Sequence, residues 1–337
     1  MIHLRLPFDE VRPLPFYLAM EEWAARTLPV GRYFFCWRVE PTVICGRNQD
    51  IAAEVNLDYC RDNGIPVVRR RSGGGAVFAD MQNYMFSYIA PGDAIQSTFS
   101  AYTTMIADML CRLGIDAQAN GRNDIVAGGR KISGNAFYHL PGRCIVHGTM
   151  LYGLDSTHMQ HALTPSRAKL VSKAVKSVSM RVGCLRDMGL ELTLEEFGRK
   201  AIEMLTGSEH MLCDADVQGI EALEQRYYDP EFIRCEPREL PAGCIRRSSR
   251  IDGVGEISAT VALTADGTHI RGISLDGDFF LLDDVDSLVC RRLEGVEFCE
   301  AAVVQALSQV DVGKVIAGLD SISLARLIVQ YRNTLYT

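Results

Sequence analysis

Arg69-Arg70-Arg71-Ser72-Gly73-Gly74-Gly75-Ala76-Val77 lies between two β-rich segments, Pro66–Arg69 and Val77–Ala90. Three consecutive glycines after a strand leave the backbone N–H groups uncovered, so a ligand's oxygens or acyl chain can come close to the main chain. The arginines in front offer forked donors suited to carboxylate or phosphate. The run is not a phosphate-binding loop of the Walker type, because no Gly-Lys-Ser/Thr follows, nor is it a dinucleotide fingerprint, because the glycine spacing differs. Taken alone, it also reads as a simple turn.

Working outward, the pattern is mixed. Phe16, Met20, Trp23 and Ala24 recur at helical spacing over residues 15–27. Tyr33–Val39 and Thr42–Gly46 read as strands around Glu40-Pro41, and Asn56–Asn63 reads as a helix stopped by Gly64. Downstream, Thr98–Leu113 predicts a long amphipathic helix, Asp124–Ile132 and Cys144–Leu154 predict strands, and Ser166–Thr206 alternates helical patterns with basic residues. Pro237, Pro241, Gly243 and the polar run Arg246–Arg250 break the pattern. Beyond them come strands at 256–263 and 269–275 around Ala265-Asp266-Gly267-Thr268, then helical stretches at 283–293, 299–308, 312–317 and 324–332. The expectation is α+β: a domain over residues 1–245 and a small α+β domain over 253–337.

Composition narrows the function classes. The chain has 337 residues, 47% hydrophobic and 23% charged, the profile of a globular enzyme. A net charge of −7 argues against nucleic acid as a main partner. No apolar run reaches the roughly 18 residues that span a bilayer, and Met1–Glu10 lacks the features of a signal peptide. A cytoplasmic protein without a membrane partner is expected. The eleven cysteines are scattered, with no Cys-x-x-Cys pair, and read as reduced thiols rather than a zinc cluster or disulfide framework.

Two further segments carry chemistry. In Gly121-Arg122-Asn123-Asp124-Ile125 and Gly129-Arg130-Lys131-Ile132-Ser133-Gly134-Asn135-Ala136, a lysine at a strand edge stands among small residues. Its ammonium can offset charge on a carboxylate or an α-phosphate, and Asn123 and Asp124 offer the oxygen ligands that Mg²⁺ prefers. In Val146-His147-Gly148-Thr149-Met150, the histidine reads either as a pocket residue or as a satisfied core residue.

The order and spacing of these segments resemble the lipoate–protein ligase A family of the biotin/lipoate ligase superfamily. The resemblance runs through Pro41–Gln49, Glu54–Asn56, Val67–Arg70, Ser72–Val77, Asp80, Asn83, Gly121–Ile125, Lys131–Ala136, His147–Thr149, Lys169-Leu170, Lys173, Ser177-Val178 and Arg181-Val182, and returns at Gly277-Asp278-Phe279-Phe280. It implies a mixed sheet flanked by helices, as in class II biotin and lipoyl ligases, with a mobile C-terminal domain. It implies that ATP activates lipoate or octanoate, with Mg²⁺, and that the acyl group passes to a lysine of a lipoyl domain of a 2-oxoacid dehydrogenase or of the glycine-cleavage H protein. By the same resemblance Lys131 is the catalytic lysine, and Arg70, Ser72, Gly73, Gly74, Gly75, Ala76 and Asn83 belong to the ligand site. So do Asn123, Asp124, Ser133, Gly134, Ala136, His147, Gly148 and Thr149, with Asp124 near the metal.

The chain departs from the family pattern at Ala79, where a histidine is usual, and at Gln82-Asn83-Tyr84-Met85, where Gly-Asn-x-Asn is usual. Asp50 replaces an asparagine, and the tryptophan-rich stretch before residue 250 is missing. These changes bear on the acid and the acceptor rather than on the reaction. Three rivals remain at this point. An ATP-independent octanoyl or lipoyl transferase would need a cysteine nucleophile, and Cys144 is the one worth testing. A biotin ligase would need a Gly-Arg-Gly-Arg type of loop, which is absent. A binding module that kept the pocket would have little use for Lys131.

Overall fold

The computed structural model describes residues 1–120, 123–153, 156–164, 182–234, 240 and 243–329. Contacts divide the chain into two units. The first holds Met1–Arg47, Ile51–Ser72 and Ala76–Arg234. Its elements open with β1 (Ile2–Arg5), α1 (Leu14–Thr27), β2 (Tyr33–Trp37), β3 (Thr42–Cys45), β4 (Val67–Arg69), β5 (Val77–Ala79) and β6 (Tyr84–Pro91). After the helix Ile95–Arg112 come β7 (Ala117–Asn120), β8 (Asp124–Ala127), β9 (Arg130–Leu140), β10 (Arg143–Met150) and β11 (Ser208–Met211).

Among the described residues the main sheet has eight strands in the order β11-β1-β2-β6-β10-β9-β8-β7. It is mixed: β1 runs parallel to β2 and β11, and the other pairs are antiparallel. A second sheet, β4-β3-β5, pairs β3 with β4 in parallel and with β5 antiparallel. The helix α1 has Pro15 in its first turn and buries twelve of its fourteen residues. Phe16, Met20 and Trp23 pack with Tyr33, Phe35, Trp37, Ile89, Tyr138 and Ile145 in the principal core. A helix buried nearly all round must also bury its polar residues, and Glu21 and Glu22 are indeed inaccessible.

The second unit gathers Asn48–Asp50, Gly73–Gly75 and residues 235–337. An antiparallel sheet of β12 (Ile245–Ile251), β13 (Gly255–Leu263) and β14 (Ile270–Gly277) packs its apolar face with the helices Glu300–Ala306 and Ser321–Val329. Within this unit the Gly74 N–H donates to the Phe279 carbonyl at 3.4 Å. A Cβ at Gly73 would lie 2.3 Å from the same oxygen, so only glycine fits there.

Several elements differ from the sequence expectation. Asp124–Ile132 is not one strand: Gly128 and Gly129, with φ of +54° and +72°, fold it into the β8–β9 hairpin. Val77–Ala90 is split into β5 and β6 by a turn in which Asp80 accepts from the Asn83 side chain. The polar run Arg246–Arg250 lies within the edge strand β12, where outward side chains can be charged. Residues 283–293 form a short π-helical turn, Asp286–Cys290, and a 3₁₀ turn, Arg291–Leu293. Val312–Lys314 is likewise a 3₁₀ turn. The motif residues Gly121, Arg122, Lys169, Leu170, Lys173, Ser177, Val178 and Arg181 lie outside the described residues. Among the described residues no helix is long and apolar enough to cross a membrane.

Candidate active site

The register of β9 against β10 brings the predicted residues together. Ser133 faces Met150, Gly134 faces Thr149, Asn135 faces Gly148, and Ala136 faces His147. Lys131 is the second residue of β9, just past the Gly128-Gly129 turn. Its carbonyl accepts from the Gly183 N–H at 2.8 Å, which fixes the main chain at this strand end. Its ammonium meets Asp124 Oδ1 at 2.6 Å, both side chains being about a third exposed (36% and 35%). A Cβ at Gly134 would lie 2.6 Å from Lys131 Nζ and 2.7 Å from Cε, so the missing side chain is the channel in which the lysine lies. The Gly134 N–H donates to Thr149 Oγ1 at 3.2 Å.

Gly148 has the same logic one pair along. A Cβ there would fall 2.0 Å from Asn135 Oδ1, so its absence makes room for the Asn135 amide. That amide donates to Ser133 Oγ at 3.1 Å and to the Asn123 carbonyl at 3.1 Å. Asn123 Nδ2 returns a bond to the Asn135 carbonyl at 3.0 Å. Asn123 therefore ties the segment before β8 to β9 and holds Asp124 beside Lys131.

A second cluster surrounds His147. Its Nε2 lies 2.6 Å from Ser72 Oγ, and its Nδ1 lies 2.8 and 3.0 Å from the two oxygens of Glu21. Arg70 Nε donates to Ser72 Oγ at 2.9 Å, and Nη1 donates to the Ile44 carbonyl at 3.1 Å. Burial pulls the Arg70 guanidinium down to about 10, which still leaves it cationic at neutral pH. The neighbouring arginines have structural duties. Arg69 binds the carbonyls of Gly46, Arg47 and Ile233, while Arg71 joins Arg26 and Arg226 on the buried Glu22. Asn83 is occupied at both ends, by Asp80 and by the Tyr152 N–H.

The altered positions Ala79 and Met85 are both buried in the principal core, and Met85 faces Trp37 across β2 and Thr149 across β10. Cys144 is fully buried, and burial pushes its thiol up to about 12, so it is poorly suited to act as a thiolate. Gly73–Gly75 group with the second unit.

Sequence reasoning passed over Glu21 and Asn135. A carboxylate pair inside a helix otherwise apolar on every side was the available signal for the first. Asn135 stood inside the quoted motif, but only the strand register shows that it faces the glycine at 148.

Residues 13–206 match the lipoyl protein ligase A/B catalytic domain, and residues 241–328 match the bacterial lipoate protein ligase C-terminus. The chain belongs to the lipoate–protein ligase family. It is 31% identical to lipoate-protein ligase LplJ of Bacillus subtilis, over 87% of this chain and 90% of that one. It is 32% identical to lipoate–protein ligase 1 of Staphylococcus aureus, over 92% and 95%. Among solved structures it is similar to a lipoate-protein ligase A bound with ATP, at 26% identity and a TM-score of 0.59, covering 69% of this chain and 98% of that one. A chain of the bi-partite lipoate protein ligase of Thermoplasma acidophilum, described with its E2 lipoyl domain, gives 26% identity and a TM-score of 0.61, covering 72% and 100%. These ligases share the mixed sheet and α+β architecture expected from the sequence.

Proposed function

We propose that this ligase activates lipoate, or octanoate, with ATP and passes the acyl group to a lysine of a lipoyl domain or of the glycine-cleavage H protein. The observation that carries the reading is Lys131: an ammonium seated over Gly134, beside Asp124, at the mouth of the β9–β10 pair. The carboxylate of the acid attacks the α-phosphate, and Lys131 offsets charge on both groups as pyrophosphate leaves. The carrier's ε-amine then attacks the acyl carbonyl, and the same ammonium stabilises the oxyanion while AMP departs. Arg70, Ser72, Asn83, Ser133, Ala136, His147, Gly148 and Thr149 belong to the ligand site in this reading, as does the backbone of Gly73–Ala76. The solved relatives with ATP and with bound lipoic acid support the two ligands, and the Thermoplasma ligase with its E2 lipoyl domain supports the class of acceptor.

Mg²⁺ fits as a companion of the nucleotide rather than a resident ion. Among the described residues no group of three or more His, Cys, Asp or Glu converges, and Mg²⁺ commonly takes one or two carboxylates with phosphates and waters. Asp124 would hold it, beside Asn123, and the ion would offset phosphate charge.

The transferase reading is disfavoured by the burial of Cys144. The deciding experiment is ATP–pyrophosphate exchange with a panel of acids, with and without carrier domain. Exchange that depends on lipoate or octanoate is expected. Acyl transfer between carriers without ATP, and no exchange with any acid, would replace the ligase by a transferase.

A further inference from the structure

The cluster around His147 has a proton order that its end groups dictate. A guanidinium only donates and a carboxylate only accepts. Arg70 Nε–H therefore points at Ser72 Oγ, and the Ser72 hydroxyl proton is left for His147 Nε2 at 2.6 Å. His147 Nδ1–H then points at Glu21. Glu21 accepts one further bond, from Ser87 Oγ at 2.5 Å, and Ser87 in turn accepts from Trp37 Nε1 at 2.9 Å. Glu21, Ser87, Ser72 and His147 are all buried, so each donor must find its acceptor inside the protein. The other tautomer would set a bare Nδ1 against a carboxylate and turn Nε2–H toward an oxygen whose own proton then needs a new acceptor.

We propose that Glu21 is a positioning residue for the activation of the acid, acting through His147 on Ser72 and Arg70. The carboxylate on α1 selects the Nδ1–H tautomer. That tautomer makes Nε2 an acceptor, which fixes the Ser72 rotor. The fixed rotor presents a lone pair to Arg70 and holds its fork at the end of β4. The function of this anchoring rests on the ligase reading above, because the Arg70–Ser72 segment is where that reading places the acyl-adenylate. The Ser–His–Glu order also occurs in hydrolases. Here Ser72 Oγ is buried and already accepts from a cation, so the chain holds geometry rather than forming an acyl-serine.

The test has a spectroscopic arm and a kinetic arm, both on the full chain. Long-range ¹⁵N–¹H spectra of ¹⁵N-histidine protein report the tautomer of each of the seven histidines, and His147 is assigned by the signals lost in His147→Gln. The expected result is Nδ1–H at His147 in the wild type; Nε2–H there overturns the proposal whether or not any variant folds. Glu21→Gln keeps the shape of the side chain but can turn its amide toward Nδ1. It should shift His147 toward Nε2–H and lower kcat for acid-dependent pyrophosphate exchange by at least roughly thirtyfold, with KM for ATP and acid changed less than about threefold. Full kcat in a folded Glu21→Gln protein overturns the positioning role. So does an acyl group found on Ser72 by mass spectrometry. If the wild type shows no acid-dependent exchange at all, the ligase reading fails, while the tautomer measurement still decides the relay.

Discussion

At the scale of single residues, the small side chains of the site make room for the large ones. Gly134 is the clearest case, because a methyl group there would sit 2.6 Å from the Lys131 ammonium. The far end of a lysine is flexible, so Gly134→Ala should fold with an almost unchanged unfolding midpoint. The ammonium, however, would be pushed off its seat. We expect acid-dependent exchange to fall at least about tenfold; an unchanged rate would mean that the resting place of Lys131 is not its working place. Lys131→Met should remove the charge itself. A charged donor aimed at developing charge typically contributes about 3–4 kcal/mol, or roughly a hundred- to a thousandfold in rate. Lys131→Arg should not rescue it, since a planar fork spreads the charge and exceeds the space above Gly134. Near-normal ATP-dependent lipoylation by either variant would remove Lys131 from the mechanism.

Strands and turns then decide where these residues go. The β8–β9 hairpin delivers Lys131 to Asp124 because Gly128 and Gly129 both take positive φ, +54° and +72°. Either glycine replaced by alanine should cost about 1–2 kcal/mol in denaturant unfolding, and asparagine less; equal stability of all three would show that the turn tolerates L-residues. On β10 the two faces behave differently. His147 takes part in the relay, whereas Cys144 is sealed off, its thiol pushed up to about 12. Brief alkylation of the native protein at pH 8 should therefore spare Cys144 and mark the exposed Cys111 and Cys213. Rapid labelling at Cys144 with loss of activity would reopen the transferase reading. This scale also marks how far the sequence could be read. Helix α1 and most strands are visible in it, because apolar periodicity reports burial directly. The hairpin is not, because Ile125, Val126 and Ile132 present one β-rich run with Gly128-Gly129 in its interior. Strand β12 is hidden by its arginines and serines, which an edge strand tolerates. Asp124, Lys131 and Gly134 are legible as motif residues. Their mutual contact is not, because it depends on the register of β8, β9 and β10, a property that no local pattern carries.

At the scale of the whole molecule, the question is what the second unit does for catalysis. Residues Gly73–Gly75 come from the middle of the first unit's sequence, yet they group with the second unit. Gly74 donates to the Phe279 carbonyl, Asn48 Nδ2 reaches the same oxygen at 3.5 Å, and the Gly277 N–H returns to the Asn48 carbonyl at 2.8 Å. The Gly-Asp-Phe-Phe element thus holds the backbone of the glycine run, the segment that the ligase reading sets against the adenylate. If holding it matters to one half-reaction, that should be activation, when the loop must organise around phosphates; transfer starts from an adenylate already made. Gly73→Ala in the intact chain tests this, because its Cβ would come within 2.3 Å of the Phe279 oxygen and force the two segments apart. Acid-dependent exchange should fall at least about tenfold, while transfer from preformed lipoyl-AMP to a carrier domain should fall clearly less. A truncation should agree, provided the cut precedes β12: ending the chain at residue 253 would leave that strand without β13, whereas ending it at 234 removes the small sheet as a unit. Equal losses in both half-reactions, in a Gly73→Ala protein with a normal unfolding transition, would deny the second unit any step-specific role and leave the glycine run a structural turn.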